Sequence, residues 1–251
     1  MRLLAVDIGN TSVACALFRG ERIVRRARLA TSDVKKKGRS FLSKHFALSC
    51  PDAAVIGSVV PDAGNFLKRI LPAATGAKTY LIGRDLEVPI RNLYKDPRQV
   101  GADRLLNALS VWEKYRRPAV IIDFGTAITF DVVSPKGAYL GGIIAPGIEI
   151  TLDALFQRTA LLPKIRLRHP RGVLGRDTVE SIRSGCAYGI GGLCDRIVSE
   201  IGTACGFKPL VLATGGYASF MSKYCRPFRS IEPDLTFRGL FLTYRLFVAG
   251  R

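Results

Sequence analysis

The chain has 251 residues, 48% hydrophobic and 23% charged, with 38 Lys+Arg against 20 Asp+Glu and a formal charge of +18. A chain of this length buries roughly 70–75% of the surface it exposes when unfolded, so it needs no disulfide or metal staple, and its composition excludes a disordered polymer. Apolar runs such as Ala119–Ile122 and Gly142–Pro146 are too short to span a bilayer, and Asp7 interrupts the N-terminal run where a secretory signal would need apolar residues, so a cytoplasmic protein is expected.

In chain order, an apolar strand over Leu3–Asp7 runs into Asp7-Ile8-Gly9-Asn10-Thr11. Ser12–Phe18 is a second strand, Arg19-Gly20-Glu21 a turn, and Arg22–Ala30 a third, alternating strand. A basic helix is predicted over Val34–Leu48, a strand over Ala53–Val60, a helix over Ala63–Leu71 and a strand over Lys78–Ile82. Val100–Tyr115 is a strong helix, with Leu105, Leu106, Leu109 and Trp112 at core spacing.

Arg116-Arg117-Pro118 then breaks the pattern and a second round begins. Val120-Ile121-Ile122-Asp123-Phe124-Gly125 repeats the form of Leu4-Ala5-Val6-Asp7-Ile8-Gly9 at an offset of 116 residues. Strands over Ile128–Val133 and Tyr139–Ile144 flank a Ser134–Gly137 turn, and helices follow over Ile148–Ala160 and Thr178–Ala204. In the latter, Gly185, Gly189, Gly191 and Gly192 imply close backbone contact or a kink. Leu210–Ala213 is a short strand, and Leu235–Phe247 a closing helix. Two copies of one unit imply a duplicated α/β architecture, with domains at 1–116 and 117–251 and a cleft between them.

The cysteines at 15, 50, 186, 194, 205 and 225 form no C-x-x-C pair, and His45 and His169 complete no zinc-ligand cluster. Reduced, mostly buried thiols are expected. The +18 charge attracts polyanions: nucleic acid, an anionic membrane surface or a phosphorylated ligand. Ten Lys/Arg lie in Arg19–Lys44, and Lys164, Arg166 and Arg168 alternate with Ile165 and Leu167. The first run reads as a solvated face and the second as an extended segment with one wet side; neither carries an apparatus for base readout.

Chemistry concentrates elsewhere. Asp7-Ile8-Gly9-Asn10-Thr11 puts a carboxylate, a permissive glycine and short polar side chains at a strand end. That set suits an anion and its Mg²⁺, or an ordinary hairpin with local turn bonds. Asp123-Phe124-Gly125-Thr126-Ala127-Ile128-Thr129 repeats it, and Thr214-Gly215-Gly216 adds a glycine turn after a strand. Together they favour a nucleotide clamp over a Walker ATPase or a Rossmann dehydrogenase, whose fingerprints are missing from the sequence. Asp103, in Gly101-Ala102-Asp103-Arg104, is either a helix-start charge or a base for a hydroxyl proton, with Arg104 pairing a substrate anion. Gly141–Gly147 is a strand-to-helix turn that also suits close substrate approach.

These residues carry a resemblance. The segments DIGNT (7–11), GADR (101–104), DFGTAIT (123–129), GGIIAPG (141–147), DTVESIRSG (177–185) and TGG (214–216), in this order, resemble type III pantothenate kinases of the sugar kinase/actin/Hsp70-like superfamily. Asp96-Pro97 stands where that family often has Asn-Pro, and the basic load is not part of its pattern. The resemblance implies a duplicated RNase H-like (actin-like ATPase) fold, a homodimer, and ATP-dependent phosphorylation of pantothenate to 4'-phosphopantothenate, the first step of coenzyme A synthesis. It implies Asp103 as the base, with Tyr94, Gly101, Ala102 and Arg104 on pantothenate and Thr178 reaching substrate from the partner subunit. Asp7, Gly9, Asn10, Thr11, Thr126, Thr129, Gly215 and Gly216 are implied for ATP, Asp7 for Mg²⁺ and Asp123 for a monovalent cation, K⁺ or NH₄⁺. The alternative is a regulatory relative of the same fold that binds nucleic acid or a partner through its basic surface; such a relative could dispense with Asp7, Asp103 and Asp123, and all three are present.

Overall fold

The computed structural model describes residues 1–226, 228 and 230–249. The chain forms two compact units, Arg116–Pro233 and the remainder, Met1–Tyr115 with the segment from Asp234 onward. The first unit holds strands β1 (Arg2–Ile8), β2 (Ser12–Arg19), β3 (Arg22–Ala30), β4 (Ala53–Ser58) and β5 (Lys78–Leu81). Its helices are α1 (Val34–Phe46), α2 (Pro61–Thr75) and α3 (Ala102–Tyr115). The second unit holds β6 (Ala119–Phe124), β7 (Ala127–Val133), β8 (Tyr139–Pro146), α4 (Ile148–Arg158), α5 (Thr178–Cys205), β9 (Leu210–Thr214), α6 (Ala218–Met221) and β10 (Ser230–Ile231); α7 (Leu235–Ala249) returns to the first.

The sheets share one topology. The first has the order β3-β2-β1-β4-β5 and the second β10-β9-β6-β7-β8, so each begins with an antiparallel meander and adds two parallel strands beside its first strand. This is the duplicated RNase H-like α/β fold. The first strand of each copy is central and therefore covered on both faces, which is why Leu3–Val6 and Ala119–Ile122 are continuous apolar runs with no solvent exposure. In the first unit, Leu4, Val6 and Ile8 pack with Leu42, Phe46, Leu67 and Leu71 of α1 and α2. Leu3 and Ala5 pack on the other face with Phe18, Leu106, Leu240 and Phe241.

Those last two residues carry a correction to the expected domain limits. The second domain was expected to run from 117 to 251, yet α7 packs on α3 and β1 of the first unit. Gly57 and Gly239 make that possible: a Cβ at Gly57 would lie 3.1 Å from Leu106 Cδ1, and one at Gly239 would overlap the Leu106 carbonyl. Ser110 Oγ donates to the Leu235 carbonyl at 2.6 Å and closes the seam. Helix packing between distant segments has no local sequence signature, so the duplication alone misplaced α7.

Two smaller departures have local causes. α2 starts at Pro61 and continues through Pro72 to a left-handed Gly76 cap, because Leu71 and Ala74 are buried in the same core. α5 runs unbroken for 28 residues; its close contact is at Gly191, where a Cβ would overlap the Tyr224 carbonyl. The 164–168 segment alternates in burial, with Ile165 and Leu167 against the core and Lys164, Arg166 and Arg168 exposed. All six cysteines are free thiols, and burial pushes Cys15 up to about 12. No helix of the described residues is long and apolar enough to cross a membrane.

The packing at α7 gives a test of opposite signs. Gly→Ala inside a helix ordinarily adds about 0.5–1 kcal/mol. Gly202→Ala, whose Cβ would meet Phe207 O at 3.8 Å, is expected to gain that amount. Gly239→Ala is expected to lose roughly 1–3 kcal/mol to overpacking, as measured by urea unfolding of the two variants.

Candidate active site

Each unit ends its central strand in a carboxylate beside a glycine turn. In the first, Asp7 lies opposite Ala14 on β2 and Gly57 on β4. The turn closes with Gly9 N–H donating to the Ser12 carbonyl at 3.0 Å. Thr31 braces it from outside: its hydroxyl donates to the Gly9 carbonyl at 2.7 Å, and its N–H to the Thr11 carbonyl at 3.1 Å. Asn10 and Thr11 are exposed.

GADR stands at the same end of that sheet. Val59 N–H donates to the Ile8 carbonyl at 3.0 Å, and a Cβ on Gly101 would lie 3.5 Å from Val59 Cγ1. The same Cβ would come within 2.5 Å of Asp103 Oδ1, so Gly101 makes room for this carboxylate. Asp103 is half-buried in the first turn of α3, with Arg104 N–H donating to Oδ1 at 2.8 Å. Desolvation holds its pKa above the ordinary carboxylate value, with Arg104 partly offsetting it. Arg104 is 7% exposed, so its guanidinium lies within the protein. Tyr94 is half-buried, and its N–H donates to Asn92 Oδ1 at 3.0 Å. Asn92 Nδ2 in turn donates to the Pro97 carbonyl at 3.2 Å. Asp96 caps the single turn at Pro97–Gln99, and Arg98, hydrogen-bonded to it, holds its carboxyl below the usual range.

In the second unit, strand register builds a polar row. Asp123 lies directly opposite Thr129 on one side and Thr214 on the other, all on one face of the sheet. The opposite face of the same strands, Ile122, Phe124, Ile128 and Phe130, is core. Gly215 has φ +90°, and a Cβ there would overlap Asp123 Oδ1 and the Phe124 backbone. Gly147 is equally constrained against the Thr126 carbonyl, which ties the GGIIAPG segment to the DFGT turn. Thr126 and Gly216 are exposed. The turn after β9 leads only into the four-residue α6.

Asp177 caps α5, its carboxylate accepting from Glu180 N–H at 2.8 Å, and Thr178 is the exposed residue after it. Thr129 donates its hydroxyl to Asp131 at 3.0 Å, and Asp131, just past the DFGTAIT motif, has no signal beyond being a carboxylate between Phe130 and Val132. Thr31 was equally invisible, because its contact to Gly9 crosses two strands.

The fit to cations rests on the donor set. Among the described residues no three His, Cys, Asp or Glu side chains form a metal-holding group. The turns instead offer carboxylate, hydroxyl and carbonyl oxygens. Mg²⁺ takes one or two protein carboxylates and completes its shell with phosphate oxygens and water, so these turns suit a cation that arrives with a nucleotide.

Comparison with known proteins decides the family. Residues 3–200 match the family model described as type III pantothenate kinase. The chain belongs to the type III pantothenate kinase family. A type III pantothenate kinase of Syntrophus aciditrophicus is 38% identical over 250 residues, covering 97% of this chain and 98% of that protein. Its counterpart in Geobacter sulfurreducens is 37% identical over 249 residues, 96% and 98% of the two chains. A ROK family glucokinase from Streptomyces griseus, solved with glucose and AMPPNP, shares the fold at 12% identity and a TM-score of 0.57, covering 98% of this chain and 100% of that one. A Campylobacter jejuni protein described as a Baf family transcriptional activator does so at 18% identity and 0.65, with coverage of 98% and 99%. These two structural likenesses speak to fold alone; family membership comes from the sequence relatives.

Two stability measurements follow. A carboxyl whose folded pKa lies above its ordinary 3.8 adds stability below about pH 4 and loses it as pH rises through the raised value. Asp103→Asn, which keeps an acceptor for Arg104 N–H, is therefore expected to raise the thermal midpoint at pH 7 and to weaken the decline from acid to neutral pH. Asp177→Ala is expected to cost about 1 kcal/mol, as loss of a helix cap, whereas Thr178→Ala stays within about 0.5 kcal/mol by thermal unfolding.

Proposed function

We propose that the protein transfers the γ-phosphoryl group of ATP to the primary hydroxyl of pantothenate, giving 4'-phosphopantothenate and ADP. The observation that carries this reading is the family match along nearly the whole chain. The half-buried Asp103 at the head of α3 supports it. A cytoplasmic homodimer is part of the proposal, with Thr178 supplied to the substrate of the partner subunit.

Phosphoryl transfer asks mainly for positioning and charge neutralisation. In this reading Tyr94, Gly101, Ala102 and Arg104 hold pantothenate, and Asp103 accepts the hydroxyl proton. The hydroxyl oxygen bonds to the γ-phosphorus as the bond to the β,γ-bridging oxygen breaks, and that electron pair leaves with ADP. A pKa above the ordinary value makes Asp103 a better proton acceptor than a surface carboxylate. Asp7, Gly9, Asn10 and Thr11 bind phosphate through the first turn, Thr126 and Thr129 serve the phosphate end from the second, and Gly215 and Gly216 hold adenosine. Asp7 would hold Mg²⁺ and Asp123 a K⁺ or NH₄⁺ ion. When bound, these cations neutralise charge on the phosphates.

Purified protein with ATP and Mg²⁺ is expected to release ADP only when pantothenate is present, and faster in K⁺ than in Na⁺. No pantothenate-dependent turnover in either salt overturns the proposal. Asp103→Asn is expected to lower kcat by about 10²–10⁴-fold while the KM for ATP stays within a few-fold. Equal loss of both would make Asp103 structural.

A further inference from the structure

We infer that Asp131 is a positioning residue that turns Thr129 into a hydrogen-bond acceptor, so that Thr129 serves the monovalent cation beside Asp123 and not a phosphate oxygen directly. The inference rests on the kinase reading and deepens it. Asp131 is a carboxylate with no solvent exposure, between Phe130 and Val132 on β7. Burying such a group is expensive unless hydrogen bonds satisfy it, and an apolar residue would serve a plain strand better. The hydroxyl of Tyr139, itself fully buried, donates to Oδ1 at 2.9 Å, and Thr129 Oγ1 donates to Oδ2 at 3.0 Å.

A threonine hydroxyl has one proton. Given to Asp131, that proton is no longer available to a ligand, and only lone pairs are left on Thr129. Phosphate oxygens are acceptors too, so Thr129 has nothing to donate to them. Thr129 also lies directly opposite Asp123 across β6 and β7, where cross-strand Cβ atoms are about 4.5–5.5 Å apart. Two strands thus bring a carboxylate and a lone-pair oxygen to one face of the sheet. Hard oxygen donors of this kind suit a cation or its water. The chain Tyr139–Asp131–Thr129 is then an outer support for the ligand set, like the hydrogen-bonded carboxylates behind many metal ligands.

The experiment uses the full chain as wild type, T129V, T129S, D131N and the D131N/T129V double variant. K⁺ is titrated against thermal stability in the presence of ADP, and kcat/KM for ATP is measured alongside. T129V and D131N are each expected to raise the half-saturating K⁺ concentration by about 10–100-fold. The double variant is expected to match the worse single variant, and T129S to recover what T129V loses. Single effects that multiply in the double variant overturn the inference, because Asp131 would then act independently of Thr129. So does an unchanged K⁺ response in both single variants, or a wild type whose stability ignores K⁺. If D131N does not fold by circular dichroism, the T129V and T129S pair decides on the same criterion. A wild type that responds to K⁺ and ADP without turning over pantothenate refutes the kinase reading, and the K⁺ comparison of the variants still tests Thr129.

Discussion

Everything at the site depends on one constraint: a carboxylate must sit at the carboxyl end of a strand that is otherwise sealed in apolar packing. Leu3–Val6 and Ala119–Ile122 have no exposure, yet Asp7 and Asp123 follow on the same strands and are only half-buried. In both copies one more buried residue, Ile8 or Phe124, separates the carboxylate from the glycine turn, so the carboxylate faces away from the core that its two neighbours join. At Asp123 the constraint is visible atom by atom, since a Cβ on Gly215 would occupy the space of its Oδ1. The carboxylate and the turn opposite it cannot be varied separately.

The surrounding structure supports these strand ends with contacts from far along the chain. Thr31, on the segment after β3, holds the carbonyl of Gly9. Val59, after β4, holds the carbonyl of Ile8 and touches the space beside Gly101. Asp131 holds Thr129 from within the sheet. Rigid strands thus fix acceptors and donors whose loops would otherwise be free to move, which is what positioning and electrostatic preorganisation require.

Asp103 shows the cost of that arrangement. A carboxylate whose burial raises its pKa is a stability loss at neutral pH and a gain in proton affinity. Sites that trade stability for reactivity are expected where chemistry occurs. Gly101 belongs to the same trade, since its missing side chain leaves room for the carboxyl oxygen.

Much of this was legible in the amino-acid order. The strand-turn-strand units and the 116-residue offset follow from continuous apolar runs ending in Asp-x-Gly. The 3.6-residue spacing of Leu105, Leu106, Leu109 and Trp112 gave α3, and the six ordered motifs gave the family. These signals are local, because periodicity and turn chemistry act over a few residues. What the sequence could not reveal was long-range. The return of α7 to the first unit depends on Gly57 and Gly239 fitting against Leu106, residues far apart in the chain. The direction of the Thr129 hydroxyl depends on a carboxylate two residues on and a tyrosine on the next strand. Pattern determined which elements form; only packing in three dimensions decided which side chains meet, because contact energies depend on distance in space and not along the chain.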